Sequence, residues 1–263
     1  LRSRHVRKSN GMPCNAAVMT RIRCGAFLFA LILVGSPLLS LAADYDAGVA
    51  AWARVLENYV DDAGRIDFHA LSADRSDLDH FVGILAETGP GSHADLFNSS
   101  DKILAFHINA YNALAMHGVI ESGIPEGFNR FFKRVRFFRF FKVKVDGVMT
   151  NLYDYENDVI RPLGDPRIHF VLNCMVRDCP RLPAKPFDAS DLDSKFESAT
   201  VEFFNNPRYV RVDSDRKEVW LSETLKFYTE DFVSSARRRD LIEYVNPFVE
   251  IKIPADYRVR FTP

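Results

Sequence analysis

The sequence predicts an α+β fold: a single, mainly helical domain with a small antiparallel or mixed sheet and hairpins. Segments with helical periodicity come first, and the strand-like pairs that follow are short and scattered. Strands and helices do not alternate regularly, as they would around a parallel sheet. We see no internal repeat and no low-complexity linker, so one domain is the simplest organisation.

The N-terminal segment is expected to direct export and then to be removed. Arg21 and Arg23 precede the apolar run 26–34, and small residues end the segment at Ala42. This order is typical of a secretory signal peptide, which we place at residues 19–43 with cleavage near Ala42. The apolar run is shorter than the roughly 20 residues that a membrane-spanning helix needs.

Export defines the expected mature protein. Met19 is the expected start, and residues 1–18 are interpreted as upstream sequence translated in error. The mature domain is then residues 44–263, without a membrane span, in the periplasm or secreted. It keeps 28 of the 34 basic residues against 35 acidic ones, for a formal charge of −7. Such an acidic protein is a poor candidate for nucleic-acid binding.

The first half of the domain is predicted to be helical. Tyr45–Val60 has apolar residues at helical spacing, and the turn Asp61–Gly64 leads to a strand-like segment, Arg65–Phe68. A second helix, Leu78–Glu87, ends before the Gly-Pro-Gly run 89–91.

Ser100–Glu121 is the strongest predicted helix, with Ser100 as its cap and Gly123 as its stop signal. It is apolar nearly all round, which predicts a central, buried position. Asn109 and Asn112 share one face of it. A buried amide without partners costs about 1–3 kcal/mol. These two side chains therefore either bond neighbouring backbone as scaffold or face a ligand.

The segment Arg130–Lys144 is rich in Phe and basic residues and contains no acid. A loop and strand with its Phe residues in the core is one interpretation, and the turn Asp146-Gly147 supports a hairpin. A membrane-surface or anionic-partner patch is the other.

The second half continues with mixed elements. The pattern predicts a helix at 151–160, a buried strand at Ile168–Asn173, and a helix from Ser190 to Phe204 with Asp193 completing a capping box. A hairpin follows at 209–212 and 218–221, and then a helix capped by Ser222 that reaches Phe232.

Five ordered blocks resemble the family called domain of unknown function 547. The blocks are AFHINAYNAL (105–114), NLYDYENDVIR (151–161), DPRIHFVLNC (165–174), DCPRLP (178–183) and LSETLKFYTEDF (221–232). The resemblance runs from about Trp52 to Phe232. It implies a shared fold and a polar constellation, and it implies no particular reaction. His107 departs from the pattern, because the family usually has Trp there.

Two cysteines remain after the leader, Cys174 and Cys179, and an exported chain with two nearby cysteines suggests a disulfide. Reduced structural thiols and a reactive thiol are the alternatives. As a thiol-dependent hydrolase or transferase, the chain would use Cys179 or Cys174 as nucleophile and His169 as base, with Asn109 or Glu156 orienting the imidazole. On a strand, His169 and Cys174 would point to opposite faces, which favours Cys179.

The preferred functional hypothesis is a binding domain. A polar cleft around His169 would hold a small anionic or peptide-like ligand, because Arg and His suit a carboxylate. Its ligand-binding side chains are Asn109, Tyr111, Asn112, Arg161, Arg167 and Asn173, with Glu156 beside them. Each Arg could instead form a salt bridge with a nearby acid. A third hypothesis is a protein-docking scaffold with segment 130–144 as its contact. The sequence predicts no metal and no cofactor.

Overall fold

The computed structural model describes residues 37–126, 128, 130–176 and 179–262. The predicted upstream segment 1–18 and the predicted signal peptide up to residue 36 lie outside the described residues. Helix α1 covers Pro37–Tyr59, so it begins earlier than the predicted Tyr45 and includes the expected cleavage position near Ala42.

The α+β class is confirmed, with helices dominating and two small sheets. After α1, the described helices are α2 (Phe68–Ala73), α3 (Ser76–Glu87), α4 (Ser100–Glu121), α5 (Phe131–Phe140), α6 (Leu152–Asp154), α7 (Leu192–Phe204), α8 (Glu223–Phe227), α9 (Thr229–Phe232) and α10 (Leu241–Val245). A π-helical turn, Tyr155–Ile160, follows α6, and 3₁₀ turns lie at Arg161–Leu163, Pro166–Phe170 and Arg238–Asp240.

Strands β1 (Lys142–Val145) and β2 (Val148–Asn151) form an antiparallel pair. The second sheet is mixed: β3 (Val210–Asp213) runs antiparallel to β4 (Glu218–Ser222), and β5 (Arg258–Thr262) runs parallel to β4. The predicted hairpin around residues 209–221 is therefore confirmed.

Helix α4 has the predicted bounds and the predicted central position. It is long and apolar enough to span a membrane by composition, but 89% of its apolar window is buried inside the protein. Its cap is Ser99, whose hydroxyl accepts the Lys102 N–H at 3.2 Å, and not the predicted Ser100. Gly123 follows the helix with φ +73°, a backbone conformation that favours glycine.

Two segments predicted as extended are helical in part. The strand-like Arg65–Phe68 forms one bridge, Val60 to Ile66, and Phe68 already begins α2 because Asp67 caps it. The predicted loop and strand at 130–144 is instead helix α5 followed by β1, and the Asp146-Gly147 turn has φ +53° and +77°. Both central residues thus lie in the left-handed region that a tight hairpin turn requires.

The predicted strand Ile168–Asn173 is wrong. Asp165 caps a 3₁₀ turn through its carboxylate, and Pro166 occupies the first turn, where its missing N–H costs nothing. The face alternation expected for a strand therefore does not apply. Ile168 packs in the core around α4, whereas Phe170 packs in a second core formed with α7, β4 and α8–α10. His169 consequently lies between the two cores.

The cap of α7 also differs from the prediction. Asp191, and not Ser190, is the N-cap residue, and it makes no side-chain capping bond. Asp193 forms an ion pair with Arg167 rather than a capping box. Ser222 does cap the next helix, which is divided into α8 and α9 at Tyr228.

Candidate functional site

Cys174 and Cys179 are joined in a disulfide, with Cα atoms 5.7 Å apart. This distance is normal for a disulfide. A disulfide sulfur is not a thiolate, so neither cysteine can serve as the nucleophile of the Cys-His hypothesis in this form.

His169 is held by an aspartate that the sequence argument missed. Its Nε2 lies 2.7 Å from Asp231 Oδ2, and its imidazole stacks on the Tyr228 ring with centroids 3.9 Å apart. A carboxylate only accepts hydrogen bonds, so Nε2 carries the proton. His169 is buried and has Asp231 as its orienting group, in place of the expected Glu156 or Asn109.

Arg161 binds the same aspartate. Its Nε and one terminal nitrogen donate to the two oxygens of Asp231 at 2.7 and 2.8 Å, a bidentate arrangement. The guanidinium also donates to Asn157 at 2.7 Å and to Glu230 at 3.1 Å. The alternative of a salt bridge is therefore realised for Arg161, with acids from α9.

Glu156 is the centre of a second set of hydrogen bonds. The hydroxyls of Tyr111 and Tyr228 donate to its two carboxylate oxygens at 2.9 and 2.7 Å. Because His169 stacks on Tyr228, the two sets form one network. We call it the His169 network and define it as Tyr111, Glu156, Asn157, Arg161, His169, Tyr228 and Asp231.

The ionisation states of this network follow from its environment. Burial and the charge of Glu156 raise the pKa of both tyrosines, Tyr111 and Tyr228, so their hydroxyls stay protonated and act as donors. Burial would raise the pKa of Asp231, but its hydrogen bonds from His169 and Arg161 outweigh burial and lower it. Asp231 therefore stays ionised throughout the physiological range.

The expected asparagine ligands serve as scaffold. Asn109 donates to the Phe187 carbonyl at 2.8 Å and accepts its N–H at 2.9 Å. Asn112 donates to the Val171 carbonyl at 3.0 Å and accepts the Asn173 N–H at 2.8 Å. Both amides are buried, and each uses its nitrogen and its oxygen to tie α4 to later loops, which is the scaffold alternative left open by the sequence.

Asn173 and Arg167 are also occupied within the protein. Asn173 donates to the Pro180 carbonyl at 2.6 Å and accepts the Met175 N–H at 2.7 Å, so it braces the disulfide loop from inside. Arg167 donates to Asp165 at 2.8 Å and pairs with Asp193 at 2.8 Å. The side chains that were expected to line one cleft therefore belong to separate hydrogen-bonded groups.

A concave site lies beside the disulfide. A cavity of about 600 Å³ is formed by the turn after α1, the disulfide loop, and the segment from α7 to β3. Its apolar wall includes Phe170, Met175, Pro180, Phe203 and Tyr209. The sequence indicated the loop through its cysteines. Nothing in the sequence indicated that the turn at 62–66 and one face of α7 would line a cavity with it.

Charged side chains line the same cavity. Three are basic (Arg65, Arg181, Arg208) and two are acidic (Asp62, Glu202). Arg181 pairs with Glu202 at 3.0 Å and donates to the Asp62 carbonyl at 2.7 Å. The cavity thus presents both signs of charge next to an apolar wall.

This arrangement is that of a small α+β domain whose polar side chains converge from distant segments. Residues 96–204 match the family described as "Protein of unknown function, DUF547". The chain therefore contains a domain of this family, as the resemblance predicted. The matched segment contains four of the five blocks, and the block 221–232 lies beyond it. Searches among curated proteins and among solved structures found no significant match.

Proposed function

We propose that this domain binds a small peptide-like ligand in the cavity beside the Cys174–Cys179 disulfide. The observation that carries the proposal is the cavity itself, whose volume of about 600 Å³ suits a small organic ligand. Such sites combine an apolar wall with a few polar groups that fix orientation.

The charges favour a ligand with both a carboxylate and an amine. Arg65 and Arg181 have half-exposed or exposed side chains, 68% and 47% accessible, and a guanidinium has five donors. A ligand carboxylate can therefore bind donors that the existing ion pairs leave unused. Asp62 and Glu202 lie in the same lining and suit an ammonium group. A short peptide with free ends meets both requirements better than a simple anion does.

The His169 network supports this function indirectly. It fixes α9 against the turn that carries Phe170, and Phe170 forms part of the cavity wall. We assign the network a positioning role, because its charged groups are already paired with one another.

The test is calorimetric titration with trialanine as the probe, together with its C-terminal amide and its N-acetylated form. Trialanine should bind, and each blocked form should bind more weakly. Removing one charge-assisted hydrogen bond costs about 1.5–3 kcal/mol, which is roughly a 10- to 150-fold loss of affinity.

Arg181→Gln should weaken trialanine binding while leaving thermal unfolding nearly unchanged. Arg54→Gln is the matched control, because Arg54 is also half-exposed and ion-paired, with Asp77, and lies outside the cavity lining. If Arg54→Gln weakens binding as much as Arg181→Gln does, or if blocked and free peptides bind equally, the cavity is not the site.

We also propose that the domain works after export into an oxidising compartment, where a disulfide such as Cys174–Cys179 persists. N-terminal sequencing of the protein isolated from such a compartment should find a start close to residue 43. A mature protein that retains residues 19–42 would contradict this.

A further inference from the structure

We infer that the exposed face of helix α5, with the neighbouring β1–β2 hairpin, is a docking surface for an anionic lipid bilayer. The surface, here called the α5 patch, consists of Phe132, Arg136, Arg139, Phe140, Val148 and Met149. It is separate from the cavity and does not depend on the proposed ligand.

The helix has two distinct faces. Phe137 and Phe138 are buried and anchor α5 to the core, with the Phe137 ring lying close against Gly118 of α4. On the other face, residues 132, 136, 139 and 140 follow the spacing of one helical stripe, and all four are exposed. This stripe carries two aromatic and two cationic side chains.

The apolar exposure in this region is large. Phe132 is 85% accessible and Phe140 72%, while Val148 and Met149 on the adjoining strand β2 are 63% and 61% accessible. Helix α5 packs against β2 and α6, so the exposed side chains of α5 and β2 lie on neighbouring elements. Four large and strongly exposed apolar side chains on two adjoining elements are unusual for a surface that faces only water.

The positive charge of this segment indicates the kind of surface that it would bind. Residues 130–145 contain seven basic side chains and no acidic one, although residues 44–263 as a whole carry a formal charge of −7. Within the part of the chain that the structure describes, no ion pair engages Arg130, Arg134, Arg136 or Arg139; Arg139 lies over the Tyr153 ring at 3.7 Å. Cations interspersed with exposed aromatics match a layer that is anionic at its surface and apolar beneath, which is a bilayer with acidic headgroups.

The experiment is co-sedimentation of the full chain with two kinds of vesicle: phosphatidylcholine alone, and phosphatidylcholine mixed with phosphatidylglycerol. Binding should require phosphatidylglycerol and should weaken as salt is raised, because the attraction decays within a Debye length. The leader run 26–34 is apolar but common to every variant, so differences between variants report on the α5 patch.

Two variants distinguish the contribution of the cationic side chains to vesicle binding from that of the apolar side chains that would enter the bilayer. Arg136→Glu changes the patch by two unit charges and should weaken vesicle binding by about 25-fold, or about fivefold per charge. The double variant Phe140→Ser/Met149→Ser should weaken it several-fold without changing any charge. The altered side chains are exposed, so the thermal unfolding midpoint should be retained.

The matched control is Arg216→Glu/Ile251→Ser, which changes one cation and one apolar residue that are each 76% exposed outside the patch. Binding that survives both patch variants, or that falls equally in the control, overturns the inference. A loss caused by Arg136→Glu but not by Phe140→Ser/Met149→Ser also overturns it, because it would assign the patch to a soluble polyanion such as a nucleic acid or an acidic protein.

Discussion

His107 should make the folded domain less stable in mildly acidic solution than at neutral pH. Its side chain is buried in α4, and Nδ1 lies 2.7 Å from the Tyr155 hydroxyl. Burial lowers the pKa of His107 to about 4, although the charge of Asp146 acts in the opposite direction. The folded protein therefore holds a neutral imidazole, whose Nδ1 accepts a hydrogen bond from the Tyr155 hydroxyl.

The sign of the pH dependence follows from proton linkage. An unfolded histidine has a pKa of about 6.5, so between about pH 6.5 and pH 4 the unfolded chain binds more protons than the folded one. Stability is fully present above about pH 6.5 and is lost as the pH falls towards 4. At pH 4.5 the loss amounts to about 2.5 kcal/mol, from about 1.4 kcal/mol for each pKa unit.

The substitution that isolates this effect is His107→Asn, because the Asn oxygen lies near the position of Nδ1 and can accept the same bond without titrating. Urea unfolding of both proteins at pH 7.5 and pH 4.5 measures the difference. With a slope of about 2–3 kcal/mol per molar urea, the native midpoint should fall by about 1 M more than that of the variant. Other groups that titrate in this range are common to both proteins and cancel.

The variant will be less stable at both pH values, because the smaller side chain leaves space in the core. Only the change between the two pH values is informative. An exposed histidine provides the control, and His80→Asn should retain the native midpoints. If His107→Asn loses as much stability on acidification as the native protein does, His107 is not buried in its neutral form.

Three further predictions concern the polar groups. Asp231→Asn removes the charge on which the His169 network converges, and should lower the unfolding free energy by about 2–4 kcal/mol in urea titrations, whereas an unchanged midpoint would show that the network does not hold α9. Asn112→Ala leaves a buried carbonyl and a buried N–H unpaired; it should cost about 2 kcal/mol in the same titration, and a cost below about 0.5 kcal/mol would refute its scaffold role. Reduction of Cys174–Cys179 should lower stability by about 2 kcal/mol, as expected for so short a loop, and a thermal midpoint that does not respond to reductant would mean that the thiols are free.

The predictions that succeeded rest on strong local signals. The bounds of helix α4 were predicted correctly, although its cap is Ser99 and not Ser100, since a long apolar pattern with a serine at its start and a glycine after it admits few alternatives. The Asp146-Gly147 turn was predicted because few residue pairs accept two positive φ angles.

The predictions that failed concern segments whose secondary structure is decided by tertiary contacts. Residues 131–140 are mostly Phe and Arg. Their helical pattern of buried and exposed positions can be recognised only once Phe137 and Phe138 are known to be buried. For the segment after Asp165, a usable signal was present: an aspartate followed by proline is a typical helix start. The apolar run Ile168–Leu172 was given more weight, and the prediction of a strand followed.

Asp231 could not have been assigned from the sequence, because nothing in the spacing of residues 169 and 231 indicates that they meet. The block containing it was recognised as part of the family resemblance, but one acid among several gives no indication of its partner. The π-helical turn 155–160 also could not be predicted, and it places Glu156 and Arg161 so that each contacts Tyr228.

The distribution of the family blocks explains why the resemblance defines a fold and not a reaction. Several side chains from different blocks bond to one another: Tyr111 to Glu156, and His169 to Asp231. A side chain already engaged in this way stabilises the domain and has little capacity left for a ligand. The cavity, in contrast, takes several of its charged groups from outside the blocks, including Arg65, Glu202 and Arg208. Under the proposed function, substitutions at such positions should change ligand preference without disturbing the internal network. If the cavity binds a ligand as proposed, domains that share these blocks can keep one fold while differing in ligand, and the ligand of this chain should be sought from its own cavity lining.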